Sequence, residues 1–137
     1  MSIVVGYRPT PEGAAALEHA LEERHHRQTR ILILHSSEPL DRSLKQSLEQ
    51  QIDALSNRLA TAGVDHDIRG IDVDADPADA ILNAAAEADA QLIVIGVRRR
   101  SPVGKLFLGS TAQRVLLEVH CPVLAVKPND IAPGRHS

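Results

Sequence analysis

Aromatic residues are almost missing from this chain: Tyr7 and Phe107 stand alone, and there is no tryptophan. A core built without rings must be filled by Ala, Val, Ile and Leu. The same scarcity argues against single-stranded nucleic-acid binding, which stacks bases on aromatic platforms. Cysteine occurs once, at Cys121, which excludes an intrachain disulfide and a cysteine metal cluster. Its apolar strand context makes it an inert buried thiol in expectation. Charge of neither sign dominates, and a formal net charge of −3 gives no general pull toward DNA or an anionic membrane. No apolar run nears the roughly 20 residues of a membrane span. The N-terminus enters strand-like sequence without a basic segment and apolar signal core. A cytoplasmic protein is expected.

What is present is ordered and repetitive in kind. With 137 residues, 43% of them apolar, the chain suits one globular domain, set at 1–128, followed by a flexible tail over 129–137. Ser2–Tyr7 (SIVVGY) is a short apolar run rich in β-branched residues, hence a buried strand. Thr10 is placed to cap a helix with Pro11 at its first position and Glu12 in its first turn. Leu17 and Leu21 share a face of that helix, and the polar cluster Glu22–Gln28 ends it. Arg30–His35 reads as a second buried strand. Ser43–Ala62 sets Leu44, Leu48, Ile52, Leu55 and Leu59 at helical spacing, with Gly63 as its stop. Asp65–Val73 reads as a more polar strand near a sheet edge. Asp76 and Pro77 open an alanine-rich helix to about Ala88. Gln91–Gly96 is a fourth strand, Ser110–Val119 a helix and Pro122–Lys127 a fifth strand. Strict alternation of strand and helix implies parallel crossovers and a sheet covered on both faces.

Such sheets bind ligands beyond the carboxyl ends of their strands, where strand order reverses. Two loops occupy strand ends here: Tyr7–Thr10, and the arginine-rich stretch after Gly96 (VRRRSPVGKLFLGST) that delivers Gly109, Ser110 and Thr111 to a helix start. If the first and fourth strands are neighbours, these loops face one crevice. Glycines admit backbone N–H groups close to oxygens, and a helix N-terminus adds unpaired donors and the positive end of its dipole. The loop therefore points to a phosphate-bearing ligand. Arg98, Arg99, Arg100 and Lys105 add cationic donors for phosphate oxygens, against the plainer reading of a solvated charge run. Gly104-Lys105-Leu106 is not a P-loop, since it lacks the hydroxyl residue after lysine and the glycine five residues earlier.

The order of elements, the segments DPADAIL and VHCPVLAVKP, and the spacing from Gly96 to Gly109-Ser110 resemble the universal stress protein family over Ser2–Pro128. The resemblance implies a Rossmann-like α/β domain, an open twisted parallel sheet of five strands in the order 3-2-1-4-5, and a homodimer through the last strand, Pro122–Lys127. It also implies a module of the stress response. The family divides into ATP binders and members that bind none. Binders carry G-x2-G-x9-G-[ST]; Gly96, Gly109 and Ser110 match it, while Arg99 stands at the second glycine. Binders also carry an aspartate after the first strand that meets the nucleoside, and Arg8 stands there. Gly104 would then supply flexibility from a shifted position, and Ser36 would sit near the base.

Two readings follow. In the first, a nucleotide (ATP, or AMP or cyclic AMP, with Mg only as its companion) lies with its phosphates at Gly96, Arg98–Arg100, Gly109, Ser110 and Thr111, and its nucleoside near Tyr7, Arg8 and Ser36. In the second, Arg8 and Arg99 fill the crevice of a ligand-free interaction protein whose partner is unknown. Tyr7 is open to two roles, ring stacking or packing. His35, closing its strand, is read as structural. His25-His26 and the series Asp72, Asp74, Asp76 lack the partners a metal needs. No nucleophile elbow or base beside Ser110 appears, so catalysis beyond weak ATP hydrolysis is not expected.

Overall fold

The computed structural model of the chain describes residues 1–36, 42–99, 106–107 and 109–128. Strands β1 (Ser2–Tyr7), β2 (Arg30–His35), β3 (His66–Gly70) and β4 (Ala90–Gly96) alternate with helices α1 (Pro11–Arg27), α2 (Arg42–Thr61) and α3 (Pro77–Glu87). A two-residue ribbon follows, β5 (Arg98–Arg99) against β6 (Leu106–Phe107), then α4 (Ser110–Glu118) and β7 (Val123–Val126). The five long strands form one sheet in the order β3-β2-β1-β4-β7, every pair parallel. Counted without the ribbon, that is the expected 3-2-1-4-5.

The strands alternate their side chains between two aliphatic cores. Ile3, Val5, Tyr7, Ile31, Ile33, Leu92 and Val94 meet Ala16, Leu17 and Ala20 of α1 and Leu48, Leu55 and Leu59 of α2. Val4, Leu32, Leu34, Ile93 and Ile95 meet Ala78, Ile81, Ala84 and Ala85 of α3 and Ala112 and Val115 of α4. Burying one such aliphatic side chain stabilises the fold by about 1.5–3 kcal/mol, and period-2 alternation feeds both faces at once. The expected role of Leu44 falls on a side chain outside those described, as do Lys105 and the tail over 129–137.

The helix starts follow the sequence signals. Thr10 has extended backbone and its side chain accepts from Gly13 N at 3.1 Å. Asp76 accepts from Ala78 N at 2.8 Å. Gly63, at φ +71°, takes the left-handed conformation that ends α2. The third strand departs from expectation. It is indeed an edge strand, but it closes at Gly70, and Asp72 begins a turn in which its carbonyl accepts from Ala75 N at 3.0 Å. Its partner β2 has ended at His35, whose carbonyl takes the last ladder bond from Ile71 N at 2.8 Å. Without a neighbour to pair with, aspartates revert to turn chemistry.

Candidate functional site

The chain builds outward from β1 to β3, then crosses back to β4, so strand order reverses between β1 and β4. Beyond the carboxyl ends of these two strands lies a cleft of about 450 Å³. The beginnings of three helices reach it: Thr10, Glu12 and Gly13 of α1, Pro77 of α3, and Gly109 to Ala112 of α4. Leu34, Ile71, Ile81 and Ile95 give it an apolar wall, while Arg8, Ser36, Ser110 and Thr111 supply polar groups.

The three helix starts differ in one respect. α1 and α3 have side-chain caps on their first-turn amides. α4 opens on Gly109, which brings no side-chain cap. The first helical bond of α4 runs from Gln113 N to the Gly109 carbonyl at 3.0 Å, so the N–H groups of Ser110, Thr111 and Ala112 precede the intrahelical ladder. A bare N-terminus bordering a cleft presents donors and positive dipole charge to an anion.

Gly96 borders the cleft too, but its missing side chain serves a different neighbour. A Cβ there would stand 2.5 Å from the carbonyl oxygen of Glu12, so the end of β4 admits the first turn of α1 only as glycine. Gly13 repeats the device, because a Cβ would collide with the Arg8 carbonyl. Thr10 N adds a bond to that same carbonyl at 2.8 Å. The phosphate motif did not point to Thr10, Glu12 or Gly13. A glycine inside a helix, where it is normally unfavourable, was the one available sign of a close approach.

Of the two roles open to Tyr7, packing describes its ring. Tyr7 is 9% exposed and belongs to the core under α1 and α2, and its hydroxyl donates to Gln51 Oε1 at 3.2 Å. Burial pushes its pKa up. Ser36 extends β2 by donating from its backbone to the Tyr7 carbonyl at 3.3 Å, which brings it to the cleft. His35 does not line the cleft. Its ring lies against the backbone of Gly70, its Nδ1 is buried with no partner among the described residues, and burial lowers its pKa. Arg98 and Arg99 pair through their backbones with Phe107 and Leu106; their side chains, and all of Arg100 and Gly104, lie outside the described residues. Cys121 is half-buried rather than buried, at the margin of the α3–α4 core, and burial raises its thiol. Among the described residues no cluster of His, Cys, Asp and Glu could hold a metal ion, and no helix is long and apolar enough to cross a membrane.

Comparison with known proteins decides the family, for the model of the universal stress protein family matches residues 1–127. The chain belongs to that family. A universal stress protein of Mycolicibacterium smegmatis is 44% identical over 130 residues, covering 93% of this chain and 98% of the relative. A solved universal stress protein of Archaeoglobus fulgidus superposes with a TM-score of 0.71 at 29% identity, covering 93% and 98% of the two chains. Two further structures share the fold. One is an Archaeoglobus fulgidus universal stress protein in complex with dAMP, at TM-score 0.65 and 24% identity over 93% and 98% of the chains. The other is a universal stress protein in complex with cAMP, at TM-score 0.66 and 21% identity over 94% and 98%.

Proposed function

We propose that this universal stress protein is a non-catalytic, cytoplasmic module of the stress response that binds an adenine nucleotide between β1 and β4. The carrying observation is the bare N-terminus of α4 bordering the cleft. Phosphate oxygens accept from the N–H groups of Ser110, Thr111 and Ala112, with the hydroxyls of Ser110 and Thr111 beside them. The base lies along the apolar wall of Leu34, Ile71, Ile81 and Ile95, and the nucleoside passes Arg8 and Ser36. ATP, AMP and cyclic AMP are the candidates, and Mg²⁺ accompanies a polyphosphate only. The dAMP and cAMP complexes of proteins with this fold support the reading. So does the cleft's position at the reversal of strand order.

The protein acts as a homodimer joined along β7. That strand is a sheet edge, and such edges invite pairing. Leu116 and Leu117 of α4, the helix that leads into β7, are 41% and 85% exposed.

Isothermal titration with Mg-ATP, AMP and cyclic AMP tests the nucleotide reading. Saturable binding with a Kd on the order of micromolar is the expected result. Absence of heat at about millimolar nucleotide overturns it and leaves a ligand-free interaction protein, its crevice filled by Arg8 and Arg99.

A further inference from the structure

The helix that offers its amides to the cleft is weakly anchored by apolar contact. α4 has nine residues, and only Ala112 and Val115 are buried. One turn after Ser110 stands Arg114, which holds three carboxylates at once. Its Nη2 donates to Asp79 Oδ1 at 2.7 Å, and its Nη1 lies 3.4 Å from Asp76 Oδ2. Its Nε donates to Glu118 Oε2 at 2.9 Å. Asp76 is also the cap of α3, using its other oxygen on Ala78 N at 2.8 Å. A single guanidinium thus ties the second turn of α4 to the cap and first turn of α3, and both helix starts border the cleft.

We infer that Arg114 is a positioning residue for the bound phosphate: its guanidinium fixes the bare N-terminus of α4 against α3 so that the Ser110–Ala112 amides face the cleft. This rests on the nucleotide reading above, because it names what sets the geometry of that site. The planar fork of arginine can serve Asp76, Asp79 and Glu118 together, which a lysine ammonium cannot do with the same rigidity. The cation also offsets the negative charge of Asp76 and Asp79, which would otherwise stand uncompensated near an arriving anion. Exposed ion pairs add little to global stability, so the role of this cluster is local placement rather than holding the fold.

The test compares wild type, Arg114→Ala and Arg114→Lys in two measurements. AMP and adenosine are titrated into each, and amide hydrogen exchange is followed at Gln113–Val115, the first hydrogen-bonded amides of α4. Arg114→Ala should weaken AMP roughly two- to fivefold, the scale of a lost surface ion pair, and leave adenosine unchanged. Exchange at Gln113–Val115 should quicken while β1 and β4 stay protected. Arg114→Lys should restore part of both. Equal losses for AMP and adenosine, or unaltered exchange in α4, overturn the inference. A wild type that binds neither ligand instead overturns the nucleotide reading and with it the phosphate role, and the exchange arm then judges the tie between α3 and α4 on its own.

Discussion

At the scale of single residues, the decisive position is one whose side chain is missing. Gly109 begins α4 with φ −66° and ψ 168°, an ordinary extended conformation open to any residue. Gly109→Asp would therefore introduce a carboxylate cap onto the amides proposed for phosphate. The variant should fold as well as wild type or better, gaining a few tenths of a kcal/mol by the usual advantage of aspartate over glycine at this position. It should lose roughly tenfold or more in AMP affinity, because a fixed anion now occupies the donors. Denaturant titration and calorimetry together check it; unaltered affinity would remove α4 from the site. The two capped helices were legible in sequence because Thr10-Pro11 and Asp76-Pro77 each join an acceptor to a preset first turn. Turn chemistry was less legible at Asp72, which the pattern puts inside a strand over Asp65–Val73 and the structure puts at the start of a turn. Which residues have a partner strand is not written locally.

At the scale of elements, β4 and α1 meet through Gly96. Gly96→Ala places a methyl 2.5 Å from the Glu12 carbonyl oxygen, and backbone atoms cannot swing aside as a side-chain end can. The substitution should cost about 1–3 kcal/mol, the range for overpacked contacts, read as a lower urea midpoint at unchanged slope. A shift within about 0.5 kcal/mol, the size of a neutral surface change, would mean that the helix start gives way. The sequence pattern marked Gly96 for a phosphate loop and said nothing of this packing, since a motif records which residue stands where and not what crowds it. Long elements were legible through periodicity: Leu48, Ile52, Leu55 and Leu59 mark the buried stripe of α2. The β5–β6 ribbon was not, because two residues carry no period.

At the scale of the whole molecule, strand–helix alternation dictates a parallel sheet, but not which strand sits beside which. The order came from the family resemblance, and the position of the cleft depends on that order. The sheet has two edges, and they are treated differently. β3 carries Asp67 and Arg69, linked at 2.8 Å, and charge of this kind discourages pairing. β7 is the sequence VLAV, without a charge. A homodimer along β7 should give twice the chain mass by light scattering, and Leu117→Glu together with Ala125→Lys should return it to the mass of one chain with the fold intact by circular dichroism. A wild type that stays monomeric at high concentration ends the proposal.

Its poverty of rings gives the molecule an unexpected transparency. With no tryptophan and a single tyrosine, its tyrosine-band emission arises from one phenol, buried at the last residue of β1 and held by Gln51 from α2. The residue that carries it borders the cleft, one position before Arg8. The chain thus carries its own optical probe, free of tryptophan background, at the junction of strand, helix and cleft. Events that loosen α2 or fill the cleft can be followed there without attaching a dye.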